Sequence, residues 1–103
     1  VATDKEFALA PGGDGTLIVT GALNIATVTR IHRESLGHFH DAVSVPRSID
    51  LAGVTSADSA GLALLIEWVR LGKQQDCDIK FLNMPTQMLP LARLFGVDHL
   101  LLQ

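Results

Sequence analysis

Residues 50–62 read Asp-Leu-Ala-Gly-Val-Thr-Ser-Ala-Asp-Ser-Ala-Gly-Leu, and this stretch decides the fold. Pro46–Ala52 has the pattern of an inner strand, with Ile49 and Leu51 on one face and Ala52 and Val54 continuing inward. A polar turn follows, and Asp58 stands where a carboxylate caps a helix that begins at Ser59. The first N–H groups of such a helix lack partners, so its start faces outward with positive character. The helix is expected to run from Ser59 to about Gln74. At about 100° per residue, Leu62, Leu65, Ile66 and Val69 share one arc and should bury against a sheet. Ala60, Leu64 and Leu71 point almost the opposite way, with Trp68 at the margin and Glu67 among them. A helix lying on a single sheet has solvent behind it, so this second stripe is expected to be exposed and to need a partner. The competing expectation is that the chain's own termini fold over it. On the first, a polar residue at Leu64 or Trp68 would spare the fold and abolish association.

Working outward, Phe7–Ala10 and Thr16–Thr20 read as strands joined by Pro11-Gly12-Gly13-Asp14-Gly15, a hairpin by composition. Asn24 can cap a helix to about Leu36, where Gly37 loosens or ends it. Asp78–Leu82 is the next strand, Thr86 to Phe95 a helix stopped by Gly96, and Val97–Leu101 a last short strand or a docked tail. The order β-β-α-β-α-β-α-β predicts a mixed sheet with helices on one face and right-handed crossovers between parallel strands.

Composition narrows the function classes. The chain has 103 residues, 48% of them apolar and 18% charged, enough for one core and sparing in surface charge. Glu67, Arg70 and Lys73 interrupt the longest apolar run, so no direct membrane insertion is expected. Asp4, Lys5, Glu6 and Asp14 argue against a signal peptide, and Val1 at the start reads as a trimmed beginning. Net charge is −3 with the eight basic residues scattered, which is unlike a nucleic-acid binder. Cys77 is the single cysteine, so no intrachain disulfide can form, and a small residue leading into a strand is its simplest role.

No catalytic set assembles. Asp50 and Asp58 are both placed near one end of the sheet, yet Asp58 has a capping role and Asp50 borders no evident pocket. His38 and His40 are close enough to share a metal, but no cysteine or carboxylate completes a shell. Gly12, Gly13 and Gly15 lack the lysine and hydroxyl of a phosphate loop. No nucleophile, base and orienting group come together. The expectation is a protein that is not an enzyme, without cofactor or metal. Ser59 is left as a first-turn hydroxyl, suited to contact, to modification or to local hydrogen bonding alone.

Gly-Ala-Leu-Asn at 21–24, Ile-Asp-Leu-Ala-Gly-Val at 49–54, Asp-Ser-Ala-Gly-Leu-Ala-Leu-Leu at 58–65, Leu-Gly-Lys-Gln-Gln at 71–75 and Leu-Pro-Leu-Ala-Arg-Leu-Phe-Gly-Val at 89–97 together resemble a STAS domain. That resemblance implies an α/β fold, a STAS-like mixed β-sheet with helices packed mainly on one face, and a single domain over residues 1–103. Two branches matter. Anti-sigma-factor antagonists carry Asp-Ser-Ser-Gly, and a kinase partner phosphorylates the serine before the glycine; here that position is Ala60. The MlaB-like branch, a small cytoplasmic subunit of the Mla phospholipid-transport ABC complex, has no hydroxyl there, and 61–75 resembles it more.

On that likeness Ser59 stands where a threonine contacts the ATPase subunit. The branch then implies a non-enzymatic accessory subunit bound to an ABC ATPase (MlaF-like), indirectly to the membrane permease, in maintenance of outer-membrane lipid asymmetry. Its location would be cytoplasmic and peripheral to the inner membrane, with self-association when isolated. The partner surface expected is Ser56, Asp58, Ser59, Ala60, Leu64, Glu67, Trp68 and Leu71, with Ser59 as a modification candidate. The alternative is an antagonist-like signalling regulator that binds a kinase-like partner.

Overall fold

A computed structural model describes residues 6–102. Strands β1 (Phe7–Pro11) and β2 (Thr16–Leu23) form an antiparallel hairpin. Its turn needs left-handed backbone, supplied by Asp14 (φ 58°) and Gly15 (φ 75°). Helix α1 (Val28–Ser35) crosses to β3 (Ser48–Ala57), which pairs parallel with β2. Helix α2 (Ser59–Gln74) crosses to β4 (Lys80–Leu82), parallel to β3, so the sheet order is β1-β2-β3-β4. Two short helices, α3 (Met88–Leu94) and α4 (Asp98–Leu101), complete the chain. This is the expected mixed α/β sheet with its helices on one face. The tail docks as a helical turn rather than a strand, and Leu101 is its buried anchor.

Alternation sets the core. Leu17, Val19 and Leu23 of β2, with Ile49 and Leu51 of β3, point at the helices and are all buried. Helix α2 lies close on the end of this sheet, because a Cβ at Gly61 would stand 2.5 Å from the Leu23 carbonyl oxygen. Glycine there is what allows the approach. Helix α1 begins later than Asn24. The Thr27 hydroxyl donates to the Ala22 carbonyl (2.7 Å) and accepts from Asn24 N–H (3.0 Å), which fixes a turn before the first helical residue.

The second stripe of α2 is not exposed. Leu64 retains 4% of its surface, Trp68 none and Leu71 8%. Helix α1 covers this side: the Trp68 indole N–H donates to Ser35 Oγ (2.9 Å), and that hydroxyl donates to the His32 carbonyl (2.7 Å). Further along, Gln75 Nε2 donates to the carbonyl of buried Phe39, so the segment after α1 closes over the end of α2. Helix α2 is therefore the middle of a helical layer, with α1 on one flank and α3 and α4 on the other. Both apolar arcs are spent on this chain's own core. Partner binding through exposed Leu64, Trp68 and Leu71 is corrected accordingly, and a polar residue at Leu64 or Trp68 would damage the fold. The cover comes from α1 and the loop behind it, and residues 1–5, part of the terminus expected as the alternative cover, lie outside the described residues.

Candidate functional site: the start of helix α2

What remains for a partner is the ridge of α2 between its two flanks. Asp58 Oδ1 accepts from Ala60 N–H (2.9 Å) and Gly61 N–H (3.2 Å), so the carboxylate already fills the donor seat at the helix start. Ser59 and Ala63 are exposed, Ala60 is half-buried, and Ser56 is exposed just before the cap. A groove of about 290 Å³ runs between α1 and α2, lined by Val28, Thr29, His32, Ala60, Ala63, Leu64 and Glu67. On the other flank a groove of about 220 Å³ is lined by Ser59, Leu62, Ala63, Ile66 and Phe95. Ala63 is common to both. The result is a low ridge of small side chains between two apolar furrows.

Glu67 closes the first groove and is held there. Arg70 donates to both its oxygens, Nε to Oε1 and Nη2 to Oε2, each at 2.7 Å, and His32 Nε2 lies 3.4 Å from Oε2. The Arg70 hydrogen bonds lower the Glu67 pKa, with a smaller contribution from His32. Of the residues expected from sequence, Ser56, Asp58, Ser59, Ala60 and Glu67 gather along this ridge, whereas Trp68 and Leu71 lie beneath the surface. Leu64 lines the floor of a groove without being exposed. Asp50 is not part of this end: it pairs across to Ile18 and Leu82, at the opposite end of β3 from Asp58. Asn83 Nδ2 and Ala52 N–H both donate to it, which lowers its pKa. Its role is local.

Sequence reasoning missed Ala63, Val28, His32 and above all Phe95, which is 57% exposed beside Leu94 at 76%. The signal was the run Leu94-Phe95-Gly96 at a helix end, where apolar residues have no inward face left to take.

Two other places on the molecule gather polar or charged side chains. Ser44, His40 and Asp41 meet on a surface loop, with His40 Nε2 at 3.0 Å from Asp41 Oδ2. His40 Nδ1 is 2.6 Å from the Gly37 carbonyl, so that nitrogen carries the proton and cannot act as base toward Ser44 Oγ at 3.4 Å. A larger cleft of about 840 Å³ at the opposite end of the sheet is edged by Arg47 and Lys80 and by Asp14, Asp76 and Asp78. Its charges are mixed, and Asp78 is paired with Lys73. Among the described residues, no group of three His, Cys, Asp or Glu side chains could hold a metal ion, and none of the helices is long and apolar enough to cross a membrane.

A four-stranded mixed sheet backed on one face by helices, with a capped helix following its central parallel strand, is the architecture of a STAS domain. The chain belongs to that family: the family model described as "Mlab, STAS domain" matches residues 9–103. No curated protein matches. Among solved structures, the chain is similar to the anti-sigma factor antagonist SpoIIAA in its unphosphorylated form, at 19% identity and TM-score 0.64, over 84% of this chain and 81% of that one. It is similar also to the phosphorylated form of SpoIIAA, described as a Bacillus cell fate determinant, at 17% identity and TM-score 0.67, over 93% and 88%. An anti-sigma factor antagonist from Mycobacterium paratuberculosis follows at 19% identity and TM-score 0.62, over 98% and 86%.

The solved structures it resembles are described as anti-sigma factor antagonists and a cell fate determinant, and the expected placement with the MlaB-like branch is corrected accordingly. The ABC ATPase partner, the permease and the phospholipid-transport role are corrected with it. The chain is a STAS-fold domain.

Proposed function

We propose that residues 1–103 act as one regulatory, non-enzymatic STAS domain of the anti-sigma-factor-antagonist kind, docking a kinase-like anti-sigma factor in the cytoplasm. The observation that carries this reading is the ridge at the start of α2. Ser59 and Ala63 are exposed between two apolar grooves, with the adjacent helix-start N–H groups already satisfied by Asp58. A surface of small side chains with apolar furrows on both sides is shaped to receive larger side chains from a partner. Similarity to antagonists of anti-sigma factors supports the choice of partner class.

Regulation differs from the branch pattern, since Ala60 occupies the position of its phosphorylated serine and offers no hydroxyl. Ser59 is the hydroxyl that remains, exposed on the ridge and lining the Phe95 groove. A phosphate there would bring about −1.5 to −2 of charge into that apolar groove, where the neighbouring N–H groups are taken. Modification at Ser59 would therefore release the partner.

The experiment is calorimetric titration of the chain against the kinase-like anti-sigma factor of its own organism. Ser59→Glu should weaken binding at least tenfold with an unchanged melting temperature. Equal affinity for both forms would remove Ser59 from the interface, and no binding by the unmodified chain would remove the partner class.

A further inference from the structure

Ile25 is 80% exposed, although it lies on one of the most tightly tied loops of the molecule. Besides the two bonds of the buried Thr27 hydroxyl, Ala26 N–H donates to Asn24 Oδ1 (2.9 Å), and Thr27 and Val28 N–H donate to the Asn24 carbonyl (3.0 and 2.9 Å). This short loop is also fastened to the start of α2, because Asp58 N–H donates to the Leu23 carbonyl (3.1 Å). An isoleucine held into water on a loop fixed by these hydrogen bonds is pre-organised for contact. Its ordering cost has been met during folding.

The surroundings specify the chemistry of the contact. Residues 15–29 contain no charged side chain, and 51–66 contain only Asp58, whose carboxylate is engaged in capping. Arg30, one turn into α1, is already paired with Glu6. A tip without free charge is complementary to a partner surface without charge.

We infer that Ile25 is the anchor by which this end of the domain enters an uncharged apolar hollow on its protein partner. The inference rests on the docking reading above and adds to it the residue that carries affinity and the character of the surface it meets. Burying an isoleucine side chain corresponds to roughly a tenfold change in affinity or more.

The test uses the same titration against the kinase-like anti-sigma factor. Ile25→Ser should weaken binding at least tenfold, while Val43→Ser, at a site 95% exposed beside the cleft at the far end of the sheet, should leave it unchanged. Affinity should also vary by less than about twofold between roughly 0.05 and 0.5 M salt, since the contact made by Ile25 carries no charge to be screened and the nearby Arg30 and Glu67 are paired within the chain. Full affinity in Ile25→Ser, with binding by the native chain intact, overturns the anchor and leaves docking standing. A tenfold loss in high salt overturns the uncharged hollow. A native chain that does not bind overturns docking and anchor together.

Discussion

Glu67 shows how a single side chain at the edge of the site is held in place. Its carboxylate is chelated by Arg70 from the next turn of α2 and approached by His32 from α1, and the Arg70 bonds lower its pKa below the ordinary value of 4.5. A carboxylate with a depressed folded pKa contributes stability above its unfolded pKa and loses it as pH falls through the folded one. The contribution is therefore present at neutral pH and fades in acid, below about pH 4.5. Glu67→Gln should flatten that acid limb: melting temperatures of the two proteins should converge as pH is lowered from 5 toward 3. A constant difference across that range would mean that the Arg70 contact carries no proton-linked stability. The pair is surface-exposed on the arginine side, so the effect is small.

At the scale of elements, the seam between α1 and α2 builds the site. Leu64 is the floor of one groove and Trp68 lies one turn further along α2, fully buried and bonded to Ser35 of α1. Leu64→Ala should cost about 2–5 kcal/mol, as for other buried leucines, read as a fall in the urea midpoint. Stability unchanged within about 0.5 kcal/mol would place Leu64 outside the core and restore it as a surface anchor. Much of this level was legible in sequence. The hairpin around Gly12–Gly15, the Asp58 cap, the 16-residue span of α2 and the stop at Gly96 all follow from local chemistry. What could not be read was the neighbour. Periodicity shows that two arcs of α2 are apolar, yet the same pattern serves an exposed docking stripe and a stripe covered by α1. The deciding bond joins residues 33 apart in the chain. Phe95 escaped for the converse reason: one exposed aromatic after a helix leaves no periodic trace.

For the whole molecule, the sheet is polarised. One end carries Arg47, Lys80 and three aspartates around an open cleft, the other a tip of Ile25, Ser59 and Ala63 whose one carboxylate, Asp58, is engaged in capping. All the parallel strands direct their carboxyl ends toward that tip, the usual place for sites in open sheets of this kind. The resemblance to STAS domains was legible from motifs spread along the chain, whereas the branch was not. Most of the apolar positions in residues 61–75 are buried in this chain's own core, so they report the fold and leave the branch open. Function therefore has to be located by contact. Amide hydrogen exchange on the domain, free and bound to the kinase-like anti-sigma factor, measures this directly. Slowed exchange confined to residues 24–29, 56–66 and 94–96 is the expected result. Protection centred instead on 42–48 and 75–80, around the charged cleft, would contradict it.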